Sequence, residues 1–138
     1  MSADAVLSGG CLCGALRYQA RGPARAMGFC CCNDCRKASG SGFIGFLAFD
    51  SAAVTITGEV LVYTSPADDG AEAVRNSCAV CGSLVFGGPR GGADGYTLYA
   101  GSLDDPQLFR PTLAIFMRSA PAWVVLPEGL KRYAGRPR

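Results

Sequence analysis

Histidine is absent from the 138 residues. The chain therefore lacks the side chain that most often carries protons or binds catalytic metals near neutral pH. Any acid or base chemistry must use a carboxylate, a tyrosine, a thiol or water. Charged residues are also sparse, at 17% of the chain, and no basic run is long enough to follow a nucleic-acid backbone, so no nucleic-acid partner is expected. No apolar stretch approaches the roughly eighteen residues of a membrane span, so no membrane partner is expected either. Met1 to Gly10 contains no Lys or Arg and no apolar core of signal-peptide type, and the expected location is cytoplasmic.

What is present is apolar residues, turn formers and thiols. Hydrophobic types make up 49%, with 19 glycines and 8 prolines, a composition of short strands joined by many turns rather than of a helical bundle. No linker or repeat interrupts it, and residues 1–138 are expected to form a single domain. Alternation puts Leu16 and Tyr18 on one face of a strand through Ala15–Gln19. Ala24–Phe29 and Phe43–Phe49 read as strands, the latter well buried. Val54–Thr57 and Val60–Tyr63 read as two strands joined through Gly58-Glu59. Leu84–Phe86, Tyr96–Ala100 and Leu113–Phe116 complete the set. Pro89–Gly95 has no apolar anchor and is expected to be mobile. Trp123 is expected to pack on the sheet. The basic residues Lys131, Arg132, Arg136 and Arg138 read as a solubilising tail. The aromatic strand segments could support a homodimer.

Eight cysteines fall in three groups: Cys11 and Cys13; Cys30, Cys31, Cys32 and Cys35; Cys78 and Cys81. Disulfides fit poorly, because they rarely persist in the cytosol and because three adjacent cysteines cannot easily reach bridging geometry. Iron–sulfur ligation stays open. The first and last pairs are each followed by a glycine, Gly14 and Gly82, and then by a strand pattern. Each pair supplies half of a tetrahedral site, so together they make one closed four-thiolate zinc. The competing reading of Cys78 and Cys81 as a redox pair requires a strand–helix junction, whereas Ser83–Phe86 reads as extended.

In the middle group, Cys30 and Cys32 point to one side of an extended segment and Cys31 to the other. A turn begun by Asn33-Asp34 can return Cys35 to the same ion. Three ligands leave one position of a tetrahedral zinc open, as in catalytic sites, unless a further residue closes it. The expectation is two zinc ions per chain, one held by the outer pairs and one by Cys30, Cys32 and Cys35, the latter catalytic if its fourth position is open and inert if it is closed. Seven thiolates with two divalent ions would take the formal charge from +2 to about −1.

The stretches Gly9-Gly10-Cys11-Leu12-Cys13-Gly14-Ala15-Leu16-Arg17-Tyr18, Cys30-Cys31-Cys32-Asn33-Asp34-Cys35-Arg36-Lys37-Ala38-Ser39-Gly40 and Cys78-Ala79-Val80-Cys81-Gly82-Ser83, with Arg110-Pro111 through Pro121-Ala122-Trp123, resemble the glutathione-dependent formaldehyde-activating enzyme (Gfa) or centromere-protein-V-like zinc domain family. The resemblance implies a mainly β fold of small antiparallel sheets with zinc-binding loops, the Mss4-like or β-tent arrangement. It implies structural zinc at Cys11, Cys13, Cys78 and Cys81, and catalytic zinc at Cys30, Cys32 and Cys35. It further implies a carbon–sulfur lyase activity, the reversible addition of glutathione as co-substrate to formaldehyde, giving S-hydroxymethylglutathione. Three positions depart from the family pattern: Cys31 and Ala114 stand where histidine is usual, and Ser77 where an aromatic is. The alternatives are another small thiol or electrophile, or a zinc-stabilised binding module without turnover. Glutathione has two carboxylates, which makes Arg36, Arg75, Arg90 and Arg110 candidates for holding it.

Overall fold

The computed structural model describes residues 5–67 and 69–137. Eleven strands and one short helix are present among them. Strand β1 (Val6–Gly10) pairs antiparallel with β2 (Arg17–Arg21), which pairs on its other edge with β5 (Val54–Thr57), forming a three-stranded sheet. The second sheet has eight strands. They are β3 (Ala26–Cys30), β4 (Ile44–Phe49), β6 (Val60–Pro66), β7 (Glu72–Cys78), β8 (Leu84–Gly87), β9 (Tyr96–Tyr99), β10 (Leu113–Ile115) and β11 (Lys131–Arg132). Their order is β11-β10-β3-β4-β9-β8-β7-β6. All neighbours run antiparallel except β10, which is parallel to both β3 and β11. The helix α1 (Asn33–Ser39) lies between β3 and β4. The architecture is mainly β, as expected.

The period-two pattern decides which faces meet. Leu16 and Tyr18 are both buried, as the alternation predicted, together with Leu7 and Ala20. They pack against Leu47, Phe49, Phe86 and Leu98 of the large sheet, forming the main core between the two sheets. Gly9 must stay small there, since a Cβ would collide with the Tyr18 ring and the Ser102 carbonyl. The Tyr18 hydroxyl meets Ser102 Oγ at 2.7 Å, so this buried phenol keeps a polar partner. A second core of Phe29, Cys31, Ala114 and Leu126 lies against β3 and β10, with Phe29 edge-on to Phe43 and to Phe109.

Four expectations require correction. Val54–Thr57 and Val60–Pro66 are strands, but not a hairpin: β5 joins the small sheet and β6 the large one. Gly58 makes the crossing at φ +103°, its Cα pressed on the Ala15 carbonyl, a conformation and a closeness only glycine permits. The Pro89–Gly95 loop has polar anchors in place of apolar ones. Arg90 donates to the Ile56 carbonyl at 3.0 Å and to that of Gly58, while Ser51 Oγ donates to the Gly92 carbonyl and accepts from the Gly95 N–H. Trp123 is 69% exposed and lies across Gly42. The basic C-terminal segment is partly structural, because Lys131 and Arg132 form β11 beside β10.

The aromatic and aliphatic side chains Leu61, Val62 and Tyr63 are exposed on β6, at the edge of the large sheet. No helix among the described residues is long and apolar enough to cross a membrane.

The small sheet is fastened to the segment after β9 by Arg17, which pairs with Asp104 through two nitrogens, while Ser8 Oγ donates to the same carboxylate at 2.8 Å. The Arg17 guanidinium, with Ser8, holds the Asp104 carboxyl down at about 2, against roughly 4 for a free aspartate. A carboxyl depressed on folding contributes stability above its unfolded value and loses it as pH falls through the folded value. Melting temperatures measured at descending pH are therefore expected to fall between about pH 4 and pH 2, and Asp104→Asn is expected to flatten that part of the curve.

Candidate metal centres and the cleft between them

The four outer cysteines sit on two loops built on one plan. Cys11 follows β1, and its N–H donates to the Leu16 carbonyl at 2.9 Å. Cys78 ends β7, and its N–H donates to the Ser83 carbonyl at 2.9 Å. In both, the first cysteine thus reaches the carbonyl five residues on. Gly14 and Gly82 bend the chain at φ +86° and +78°, which completes each turn without a side-chain penalty. Backbone amides point at the sulfurs: Leu16 N–H donates to Cys11 Sγ at 3.2 Å, and Val80 and Cys81 N–H donate to Cys78 Sγ at 3.3 and 3.4 Å. Such bonds favour thiolate over thiol. Ser83 Oγ lies 3.1 Å from Cys81 Sγ and accepts from Leu12 N–H at 3.2 Å, tying one loop to the other. That contact with Ser83 and its neighbouring amides pulls the Cys81 thiol down to about 5.

All four sulfurs lie within 4.8 Å of one another. A tetrahedral zinc with thiolates at 2.3 Å requires sulfur–sulfur edges of about 3.8 Å. Cys11 to Cys13 measures 3.6 Å and Cys13 to Cys78 measures 3.8 Å. The donor set therefore fits a single ion, and the space is too small for a cluster of several irons. None of the eight cysteines is in a disulfide. Cys78 and Cys81 lie in a strand-to-strand loop, not at the strand–helix junction a redox pair requires.

The central group forms at the end of β3. Cys30 is the last residue of that strand. Cys32 is the N-cap of α1, with extended backbone at φ −65° and ψ 158°, and its sulfur accepts from Cys35 N–H at 3.3 Å. A thiol here replaces the usual serine or aspartate cap. Cys35 sits in the first turn of α1, and Gly40 in the left-handed conformation ends the helix. The sulfurs of Cys30, Cys32 and Cys35 all lie within 4.8 Å of one another. Contacts with the Cys30 and Cys35 thiols push the Cys32 thiol down to about 2, while sharing a proton with Cys32 drives Cys30 upward. The three thiols thus titrate as one coupled group, with Cys32 the position that favours the negative charge.

Cys31 points the other way, as its place between Cys30 and Cys32 predicted. It is fully buried in the second core, its N–H donates to Ile115 and its sulfur lies 3.8 Å from Met117 Sδ. Ala114, also fully buried, packs in the same cluster.

A cleft of about 400 Å³ opens on the central trio. Cys30 and Cys35 form one wall, with Arg75, Tyr99, Arg25 and Arg136 among the others. A larger hollow of about 880 Å³ lies between α1 and the outer-cysteine loops, but among the described residues it borders no arginine and no thiol besides Cys11. The smaller cleft is where cationic groups and sulfurs meet.

Arg75, on β7, extends Nη2 to 3.8 Å from Cys35 Sγ. Burial works against its charge, but the Cys35 sulfur more than restores it, so the guanidinium is held as a cation. Its Nε is buried without a protein partner among the described residues. Tyr99 ends β9 beside Gly87, where a Cβ would press on its hydroxyl. Burial raises the Tyr99 phenol above its ordinary range, so it stays protonated near neutrality.

Of the four arginines singled out from sequence, Arg75 is brought to the trio. Arg36 is on α1, Arg90 binds backbone carbonyls of the β5 end, and Arg110 lines a separate hollow with Met27 and Leu108. Sequence reasoning missed Arg25, Tyr99 and Arg136 as cleft residues. Tyr99 carried a signal, because β9 pairs with β4, which pairs with the cysteine-bearing β3. It also missed Asn76, fully buried beside Arg75. Asn76 Nδ2 donates to the Phe86 and Gly88 carbonyls at 3.2 and 2.8 Å, spanning the register shift between β7 and β8.

Two mutational outcomes follow from this geometry. Cys81→Ser weakens a site joining segments more than sixty residues apart, and structural sites contribute folding free energy directly. It is expected to lose cooperative melting, whereas Cys35→Ser, whose partners lie within six residues, is expected to stay folded and hold one zinc fewer. Circular dichroism with zinc stoichiometry, two per wild-type chain, checks both. Cys31→Ser is expected to retain both ions while melting earlier by the equivalent of about 1–3 kcal/mol, because it buries a hydroxyl without a partner. Loss of an ion in that variant would put Cys31 in a coordination shell.

Comparison with known proteins agrees with the arrangement. None of the curated proteins compared is detectably similar to this chain in sequence. Among solved structures, the crystal structure of a Rhodobacter sphaeroides protein is similar in fold, with a TM-score of 0.51 and 18% sequence identity, covering 72% of this chain and 92% of that one. Residues 6–119 match the family described as glutathione-dependent formaldehyde-activating enzyme. That span holds all seven cysteines of the two candidate metal groups, both loops of the outer site and the β3–α1 turn of the central one: the chain belongs to the glutathione-dependent formaldehyde-activating enzyme family.

Proposed function

We propose that the chain is a zinc-dependent enzyme of carbon–sulfur lyase type, catalysing reversible addition of a thiol, glutathione in the first instance, to a small aldehyde such as formaldehyde. The observation that carries this reading is the three-thiol group of Cys30, Cys32 and Cys35 opening on a cleft with Arg75 and Tyr99. Zinc held by these three would supply Lewis acidity, and so stabilise an incoming sulfur as thiolate at neutral pH. The outer set of Cys11, Cys13, Cys78 and Cys81 is the structural counterpart, with four donors and no position left for substrate.

The chain's own residues do the rest. Arg75, cationic and close to Cys35, places positive charge beside the trio and favours a second anionic sulfur entering there. The substrate sulfur forms its bond to the carbonyl carbon as the carbonyl π pair moves onto oxygen. Tyr99, protonated and in the same cleft, donates a hydrogen bond to that oxygen as its charge develops. Water delivers the proton that makes the hydroxyl, since no histidine exists to relay it. The reverse sequence releases aldehyde and thiol. Buried, inward-facing Ile44 on β4 also borders the cleft, giving a small apolar surface suited to a one- or two-carbon aldehyde.

Zinc-loaded protein with formaldehyde and glutathione is expected to form the adduct faster than the uncatalysed mixture, followed by nuclear magnetic resonance or by loss of free thiol. Tyr99→Phe is expected to lower kcat by about 10²-fold with little change in KM, and Cys35→Ala to abolish the excess rate. A wild-type rate equal to the background would remove this substrate pair, and a panel of other thiols and aldehydes without turnover would leave a binding module as the remaining reading.

A further inference from the structure

The matched family residues end at 119, yet the cleft is lined by a residue well beyond that point, Arg136. How the chain brings it there is visible in the backbone. After β10, Phe116 takes the left-handed conformation, φ 56° and ψ 37°, the one non-glycine residue with positive φ among the described residues. A bulky aromatic rarely adopts this conformation, and its presence points to an imposed local geometry. The turn directs three successive amides at the C-terminal segment: Phe116 N–H donates to the Gly135 carbonyl, Met117 N–H to that of Tyr133, and Arg118 N–H to that of Ala134. The segment is thus tied down immediately before Arg136.

Two side-chain contacts then fix the guanidinium. Its Cζ lies 5.5 Å from the centroid of the Phe116 ring, which Arg118 also approaches at 5.4 Å. Its Nε pairs with Asp69 Oδ2 at 2.5 Å. Asp69 takes Nε alone, which leaves the terminal nitrogens, with four N–H groups, for a second anion. Asp69 belongs to the turn before β7, and Glu72, the first residue of β7, lines the same cleft. Arg75 lies three strand residues further on, about 10 Å along β7, beside Cys35. The cleft therefore has a sulfur end at Arg75 and Cys35 and a remote end at Arg136. Arg25 also lines it, but is engaged by Asp50 at 3.5 Å and by the Asp94 carbonyl.

We propose that Arg136 is the specificity-determining residue of the cleft, recognising a carboxylate that the thiol substrate carries remote from its sulfur. The assignment rests on reading the cleft as a thiol site. It makes the substrate class an anionic thiol rather than a small neutral one, and it locates the discrimination in a segment outside the matched family residues. A planar guanidinium held over an aromatic ring and paired at Nε loses little freedom when it takes a carboxylate in a two-pronged contact.

The test is a binding titration, independent of turnover. Zinc-loaded protein is titrated calorimetrically with glutathione and with glutathione diethyl ester, which keeps the thiol and neutralises both carboxylates. The wild type is expected to prefer the free acid. Arg136→Gln is expected to weaken glutathione about fivefold, in keeping with one partly exposed charged contact, and to leave the ester unchanged. Arg132→Gln, a change on the same segment at a residue that does not line the cleft, is expected to alter neither. The assignment is overturned by equal wild-type affinity for acid and ester, by equal losses for both ligands in Arg136→Gln, or by an equal loss in Arg132→Gln. Where Arg136→Gln fails to fold, equal wild-type affinity for acid and ester still overturns the assignment, and Arg136→Ala or Arg136→Lys replaces it as the variant compared on both ligands. Carboxylate-selective binding without adduct formation would remove the thiol–aldehyde reaction and keep Arg136; adduct formation with no carboxylate preference would do the reverse.

Discussion

Four sulfurs drawn within 4.8 Å of one another join the first strand of the small sheet to the β7–β8 loop of the large one. The Leu12 N–H to Ser83 Oγ hydrogen bond joins the same two loops. The sheets bury a common core, but a three-stranded sheet has little apolar area with which to hold its orientation. The paired loops supply the missing constraint. Each presents backbone amides to sulfur, and each turns through a glycine, so the donor geometry is set by main chain rather than by flexible side chains. Arg17 with Asp104 fastens the same small sheet at another point, through charges that acid can discharge.

The central trio obeys a different logic. Its three cysteines come from one strand end, one cap and one helical turn, so their positions follow from local conformation. Cys31 anchors that segment from behind. With adjacent residues facing opposite ways, the cleft and the second core share a single backbone wall. Burial raises the Cys31 thiol, so it stays neutral in that wall, while its amide holds the wall to Ile115.

Much of this was legible in the sequence because it is local. Cysteine spacing with its following glycine encodes a metal loop, and alternation around Leu16 and Tyr18 encodes a face. The turn from Asn33 to Gly40 is marked by its own capping residues. What escaped depends on partners far along the chain. Val54–Thr57 and Val60–Pro66 have the pattern of a hairpin, and only the placement of Gly58 against Ala15 shows why the chain changes sheets there. Arg75 and Arg90 look alike in sequence, yet one meets a sulfur and the other a pair of carbonyls. Arg136 gave no signal at all, because its position depends on the unusual backbone of Phe116 twenty residues earlier. Trp123 was expected to pack on the sheet, yet it stays largely exposed, since a large apolar side chain does not by itself imply burial.

The difference in reach between the two cysteine groups also orders events in time. A chain emerging residue by residue from a ribosome exposes Cys30, Cys32 and Cys35 together, within six residues, and can gather an ion there while most of the polypeptide is still unmade. The outer pairs must wait until Cys81 has appeared and the intervening strands have folded back. Were both groups to take metal, the local trio would therefore be able to do so first and the distant quartet only later, so scarcity of metal during synthesis would leave the two sheets without their cross-link.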